Sequence, residues 1–213
     1  MRITSPRHLI RLLCCLLPIG GCSESLAPPD EASTSERDPT VTTLSLYDLM
    51  GHTVDPFAGS KAPVHVFIFV RTDCPISNRY APTIRHLHEI FSPQGVEFRI
   101  VYANPDVTVE AIREHLSSYR LPMVALRDPH HHLVARTGVT ITPEAVVYVP
   151  TENNTAPKRL YHGRIDNWYA DFGKARPAPT QHDLNDALEA VLAGKPVAVA
   201  HAPAVGCYLE DLR

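Results

Sequence analysis

The chain has 213 residues, of which 44% are apolar, 20% charged and 7% aromatic, and this composition is typical of a folded globular domain rather than a disordered or fibrous chain. The length suits one core of about 150 residues with appended segments better than two separate cores. The formal net charge is −3, and the sequence does not have the excess of positive charge that is typical of nucleic-acid-binding proteins, so no nucleic-acid partner is expected.

The first 21 residues predict an export signal. Residues 1–21 have a basic start, a short apolar run from Leu12 to Leu17, and small residues before a cysteine. The apolar run is far shorter than the roughly 20 residues of a permanent membrane-spanning helix. The string Ile19-Gly20-Gly21-Cys22 resembles a bacterial lipobox, which implies a lipid anchor on Cys22 and a location in the cell envelope, periplasm-facing or otherwise extracytoplasmic. The alternative is ordinary cleavage, with Cys22 as an incidental thiol.

Residues 22–40 are polar, acidic and rich in proline. Such a stretch cannot bury enough apolar surface to offset the entropy of ordering, so it predicts a disordered tether. The folded domain is expected over residues 41–195, and residues 196–213 are expected to form a C-terminal tail.

Cysteine usage narrows the candidates for chemistry. Cys14 and Cys15 leave with the signal, and Cys22 carries the lipid in the lipoprotein interpretation. Only Cys74 and Cys207 then remain as free thiols, and export places both in an oxidising compartment.

The folded part opens with a predicted hairpin from Val41 to Val54. The run Val64–Val70 is almost entirely β-branched and aromatic, which is typical of a central strand covered on both faces. A helix is predicted from Pro75 onward, because apolar residues recur at helical spacing at Ile76, Tyr80, Ile84, Leu87 and Phe91.

The alternation of strands and helices continues to the last helix. The predicted elements are a strand Val96–Tyr102, a helix through Val109 and Tyr119, a short strand Val124–Leu126, a short helix His131–Thr137, an antiparallel pair Ala145–Val149 and Arg159–Gly163, and a helix from Leu184 to Leu192 capped by Thr180 and Asp183. Alternating elements favour a parallel sheet with helices on its faces, and the late pair adds antiparallel strands. The expected fold class is α/β, a three-layer sandwich with a central mixed sheet.

Cys74 lies where the central strand meets the helix. Pro75 suits a first helical position because its missing N–H would have no partner there, so Cys74 is expected at the N-cap. Unsatisfied N–H groups and the helix dipole favour a thiolate at this place. Arg71 would add to the effect if it turned inward, whereas Asp73 would oppose it. The alternative is an inert cysteine packed at the end of a buried strand.

These residues resemble a known family. The string from Phe69 to Ser77, followed later by Thr142-Pro143, resembles the thioredoxin-like fold and its redoxin or peroxiredoxin-like (AhpC/TSA-type) branch over about residues 41–195. A narrower resemblance, to bacterial redoxin-domain proteins, rests on Thr72–Asn78 together with Gly206-Cys207. The resemblance implies a cis-proline at Pro143 that faces Cys74 and aligns a partner's disulfide.

Two departures from the family patterns bear on the activity. Ser77 stands where thioredoxins have the second cysteine of Cys-x-x-Cys, so no disulfide forms within the motif. Arg71 and Phe67 stand where peroxiredoxins have a threonine and a proline, which argues against peroxide reduction.

The expected function is that of an envelope thiol-disulfide oxidoreductase. Cys74 is the predicted nucleophile, Thr142 and Pro143 shape the groove, and Cys207 resolves if the tail folds back. The neighbours Arg71, Thr72, Asp73, Pro75 and Ser77 support the site. Partners are protein thiols and disulfides, no cofactor is expected, and the electron donor is undetermined. A static structural disulfide between Cys74 and Cys207 is the alternative to a resolving role.

Two other functions stay open. A thiol peroxidase would take peroxide as its substrate. A non-enzymatic copper chaperone of the SCO type would use thiolate and imidazole ligands, which suit copper. However, that family needs a second cysteine where Asn78 stands, and the densest histidine run, His130-His131-His132, follows Asp128-Pro129 as a predicted solvated turn. No metal ligand is therefore assigned.

Overall fold

The computed structural model describes residues 44–151 and 156–209. The predicted signal peptide, the lipidation of Cys22 and the tether lie in residues 1–40, outside the described residues. Among the residues described, no helix is long and apolar enough to cross a membrane.

The described chain contains twelve strands and four α-helices. The strands are β1 (Leu46–Tyr47), β2 (Thr53–Val54), β3 (Val64–Val70), β4 (Val96–Tyr102), β5 (Val124–Arg127), β6 (Ile141–Thr142), β7 (Glu144–Val149), β8 (Lys158–Gly163), β9 (Tyr169–Asp171), β10 (Lys174–Ala175), β11 (His201–Ala202) and β12 (Cys207–Tyr208). The helices are α1 (Pro75–Phe91), α2 (Val109–Ser118), α3 (His132–Thr137) and α4 (Asp183–Leu192).

Eight of these strands form one mixed sheet in the order β11-β8-β7-β3-β4-β5-β1-β2. Strand β3 pairs in parallel with β4, and β4 in parallel with β5, whereas β7 runs antiparallel to both β3 and β8. Every residue of β3 is buried, as the continuous apolar run predicted for a strand covered on both faces. The predicted N-terminal hairpin is present as β1 and β2.

Helices cover both faces of this sheet. On one face α1, α2 and α4 pack against the alternate residues Val64, Val66, Ile68 and Val70 of β3. On the other face α3 packs against Phe67 and Phe69. The apolar positions that predicted α1 are all buried, so burial of this stripe fixes how the helix lies on the sheet. The three-layer α/β prediction is confirmed.

The start of α4 differs from the prediction. The helix begins at Asp183 after His182, and no side chain caps it. Thr180 instead exchanges hydrogen bonds with Asn167, whose Oδ1 accepts from the Thr180 backbone and whose Nδ2 donates to the Thr180 hydroxyl. The predicted capping box is wrong because this loop partner engages Thr180.

Residues 196–209 of the predicted tail pack onto the domain. Strand β11 lies parallel to β8 at the edge of the main sheet. Strand β12 pairs antiparallel with β6, directly before Pro143. The tail therefore returns to the end of the sheet at which Cys74 lies.

Candidate active site

Cys74 occupies the N-cap of α1, as the sequence predicted. Its Sγ accepts a hydrogen bond from the backbone N–H of Ser77 at 3.4 Å. Pro75 follows at the first helical position, where its missing N–H costs no hydrogen bond. The residue is only 1% exposed, so its sulfur is held among protein groups at the helix N-terminus.

The Thr142–Pro143 peptide bond is cis, as the family resemblance implied. The carbonyl oxygen of Thr142 lies 3.4 Å from Sγ of Cys74 and accepts a hydrogen bond from the thiol. Thr142 and Pro143 thus stand against the cysteine although they lie far from it along the chain.

Strand β12 brings the second cysteine to the same place. Cys207 is in register with Thr142, and the Thr142 hydroxyl donates to the Cys207 carbonyl at 3.3 Å. The preceding residue, Gly206, lies so close to Thr142 that an added Cβ would collide with the Thr142 carbonyl oxygen. The lack of a side chain at position 206 is what allows β12 to approach β6 this closely.

Cys74 and Cys207 are both free thiols, and each affects the ionisation of the other. Burial opposes ionisation of Cys74, but hydrogen bonds from Cys207 and Ser77 outweigh burial and hold the pKa of the Cys74 thiol below its ordinary value. Burial and the hydrogen bond to Cys74 raise the pKa of Cys207 to about 12. Of the two thiols, Cys74 is therefore the one that ionises more readily.

Arg71 ties the active end of the sheet to the tail. Its guanidinium forms two hydrogen bonds of 2.9 Å with the carboxylate of Asp73 and donates to the Tyr208 carbonyl at 3.0 Å. The charge of Arg71 is thus shared with Asp73. The hydrogen bond from Arg71 to the Tyr208 carbonyl helps to hold β12 in place. The hydrogen bonds that lower the pKa of Cys74 come from Cys207 and Ser77 and not from Arg71.

The sequence analysis did not predict a row of hydrogen-bonded side chains near Cys74, which consists of the half-buried Asn78 and the buried His115 and Tyr102. Asn78 donates to the Thr72 carbonyl at 3.1 Å, and its Oδ1 lies 2.8 Å from Nε2 of His115. Nδ1 of His115 lies 2.8 Å from the hydroxyl of Tyr102. Burial lowers the pKa of His115, so the ring is neutral, with Nε2 donating to Asn78 and Nδ1 accepting from Tyr102. Only the spacing of Asn78 one turn after Cys74 hinted at this role.

An open cleft of about 650 Å³ lies beside the cysteine pair. Its walls include Arg71, Asp73, Phe172, Cys207 and Tyr208. Phe172, in the turn between β9 and β10, and Tyr208 are both largely exposed. Cys207 is one of the residues that line this cleft, and Cys74 is not.

In the part of the chain that the structure describes, no group of three or more His, Cys, Asp or Glu side chains is placed to hold a metal ion. Two histidines of the His130-His131-His132 run instead form hydrogen bonds with backbone carbonyl groups. Nε2 of His131 lies 2.8 Å from the Ala103 carbonyl, and Nδ1 of His132 lies 3.0 Å from the Ser45 carbonyl. Asp128 accepts hydrogen bonds from the first backbone N–H groups of α3.

The fold and the thiol at the start of α1 define a thioredoxin-like protein. The redoxin family model matches residues 34–151, which is more than half of the chain, and the chain belongs to the redoxin family. No curated protein matches the chain in sequence.

Solved structures share this fold. An uncharacterized conserved protein from Geobacillus kaustophilus has a TM-score of 0.66 and 20% identity, over 78% of this chain and 87% of that one. A hypothetical protein from Sinorhizobium meliloti has a TM-score of 0.64 and 23% identity, over 78% and 89% of the two chains. A secreted disulfide oxidoreductase from Mycobacterium tuberculosis has a TM-score of 0.48 and 20% identity, over 70% and 96%. The first two, with TM-scores above 0.5, show that this chain shares their fold.

Proposed function

We propose that the protein is a thiol-disulfide oxidoreductase of the cell envelope that cycles between a Cys74–Cys207 dithiol and the corresponding disulfide. One observation carries the proposal: the pairing of β12 with β6 places Cys207 opposite Thr142, whose carbonyl oxygen lies 3.4 Å from Sγ of Cys74. This pairing brings the two cysteines to the same end of the sheet. Cys207 also borders an open cleft, which favours a pair that partners can reach over a buried static disulfide.

The electrostatics support exchange chemistry. A thiolate is the attacking species and also the better leaving group, and both roles favour a thiol of lowered pKa. Cys74 has this property because the Ser77 N–H and Cys207 stabilise its charge. Because the pKa of Cys207 is raised to about 12, ionisation of the reduced pair falls on Cys74. The substrates are protein thiols and disulfides.

The envelope location rests on the sequence of residues 1–22. A basic start, a short apolar run and the lipobox-like string ending in Cys22 support export and lipid anchoring. In that compartment thiols are oxidised unless an electron donor reduces them. A dithiol protein there needs a partner that maintains its redox state.

The test uses the mature chain from residue 22 with Cys22→Ser, so that Cys74 and Cys207 are its only cysteines. Equilibration with dithiothreitol redox buffers, followed by alkylation and mass measurement, should show one reversible two-electron couple. Cys74→Ser and Cys207→Ser should each abolish catalysed reduction of a protein disulfide such as that of insulin.

Two outcomes would replace the proposal. If the thiols never pair, or if Cys74→Ser keeps full dithiol activity, the assignment fails. Consumption of peroxide that depends on Cys74, without disulfide exchange, would favour a thiol peroxidase. Cu(I) binding that is lost in Cys74→Ser, without disulfide exchange, would favour the copper chaperone.

A further inference from the structure

The two cysteines differ sharply in how a partner can reach them. Cys74 is 1% exposed and is enclosed by Ser77, the Thr142 carbonyl and Cys207. Cys207 is half-buried and forms part of the wall of the 650 Å³ cleft. With β12 seated on β6, a partner that enters the cleft therefore meets Cys207 and not Cys74.

Thiol-disulfide exchange imposes two requirements on a disulfide that is to be reduced. The incoming thiolate must reach one sulfur, and the electron pair must leave on the other, preferably the sulfur of lower pKa. Cys207 meets the first requirement through its position in the cleft. Cys74 meets the second because the helix N-terminus and the Ser77 N–H stabilise its thiolate. Access and leaving-group ability thus select the same direction of attack.

We infer that, within the cycle proposed above, partner sulfurs exchange at Cys207, which carries the mixed disulfide, and that Cys74 is the enclosed sulfur that forms and breaks the internal bond. The inference rests on the proposed function. It reverses the order predicted from the sequence, in which Cys74 attacks the partner and Cys207 resolves.

Reduction of the oxidised protein by a dithiol partner then proceeds in two balanced steps. A partner thiolate attacks Sγ of Cys207, the Cys74–Cys207 bond breaks, and the electron pair leaves on Cys74 as thiolate. The partner's second thiolate attacks its own sulfur in the mixed disulfide and releases Cys207, which takes up a proton. The partner ends as a disulfide, and the protein ends as the thiolate-thiol pair described above.

Oxidation of the protein by a partner disulfide uses the same contacts in reverse. Cys207 passes its proton to the Cys74 thiolate along their hydrogen bond and attacks the partner disulfide, and one partner sulfur leaves as thiolate. Cys74 then loses that proton to solvent and attacks Cys207. The second partner thiolate is released, and the internal disulfide forms. Cys74 therefore serves first as a base and then as the resolving sulfur, without leaving its enclosure.

The experiment identifies the sulfur that a thiol attacks first. The mature chain with Cys22→Ser is oxidised, mixed with excess glutathione, quenched in acid within milliseconds and labelled with N-ethylmaleimide at low pH. Trypsin cleaves after Arg71 and Arg79, so Cys74 is recovered in a peptide separate from Cys207. We expect glutathione on Cys207 and maleimide on Cys74, in at least tenfold excess over the reverse pattern. The glutathione adduct of the Cys74→Ser variant provides the mass standard.

Two failures are distinguishable. If oxidation produces no Cys74–Cys207 disulfide, the proposed function fails before glutathione is added. If the disulfide forms and reduces reversibly but glutathione is found on Cys74, or equally on both cysteines, the proposed function survives and the assignment of Cys207 as the exchanging sulfur is overturned.

Discussion

Replacing Gly206 by alanine tests whether strand β12 is what encloses Cys74. An added Cβ would collide with the carbonyl oxygen of Thr142 and lie 3.0 Å from Cγ2 of Ile141. Because the first of these contacts is with backbone, rotation of a side chain cannot relieve it. The strand must move away from β6, and it carries Cys207 with it.

The size of the effect follows from the cost of overpacking. A methyl group forced into a filled space costs about 1–3 kcal/mol. Strand β12 is a two-residue strand near the chain terminus, so we expect this cost to fall on local opening rather than on global unfolding. At about 1.4 kcal/mol per tenfold, the fraction of molecules with β12 displaced should rise roughly 5- to 150-fold.

The assay is the rate at which iodoacetamide alkylates Cys74 in the reduced protein, followed by peptide mass spectrometry. When closing is faster than alkylation, this rate follows the open fraction and should rise by the same factor. Gly59→Ala is the control for a general loss of stability: its φ of +72° strains an alanine backbone, but nothing lies within 4 Å of the added methyl, so β12 is not pushed away from β6. An unchanged Cys74 rate in Gly206→Ala, with native circular dichroism in both variants, would refute the view that β12 covers the thiol.

Two further predictions concern the electrostatics and the support of the site. Titration of the thiolate absorbance near 240 nm should show two ionisations. The pKa of Cys74 should lie below the ordinary thiol value, and the pKa of Cys207 should be about 12. Cys207→Ala removes a donor and should raise the pKa of Cys74, whereas Cys207→Ser keeps a donor and should raise it less. Asn78→Ala removes the bonds to Thr72 and His115 and should lower the free energy of unfolding by about 1–3 kcal/mol in urea. Asn185→Ala, which removes a solvent-exposed hydrogen bond, should lower it by less than about 0.5 kcal/mol. Equal losses in these two variants would contradict the supporting role of Asn78.

The elements around Cys74 were predictable because their patterns are strong. Val64–Val70 is a continuous apolar run, and α1 has an apolar stripe at helical spacing that begins with a proline. Each pattern allows only one arrangement that buries its apolar side chains, so the local sequence and the tertiary packing favour the same structure. The position of Cys74 at the junction follows directly from these two elements.

The arrival of Cys207 was not predictable in the same way. Strands β6 and β12 have two residues each, which is too short for any alternation to be read. Their pairing depends on the bare backbone of Gly206 and on the hydrogen bond from Arg71 to Tyr208. The supporting contacts of Asn78 depend likewise on where α2 packs, which no local pattern specifies.

Because Ser77 stands where a Cys-x-x-Cys motif has its second cysteine, the helix cannot supply both sulfurs, and in the proposed cycle the paired strand β12 supplies the second. This changes how access to the site depends on redox state. In the disulfide form, β12 would be joined covalently to the start of α1, and opening would require reduction. In the dithiol form, β12 is held by two-residue pairing, the Arg71 bond and the buried side chain of Leu209. These are local interactions that open at low cost compared with global unfolding. Transient opening that reaches Cys74 is therefore confined to the reduced state, and the oxidised state presents Cys207 alone.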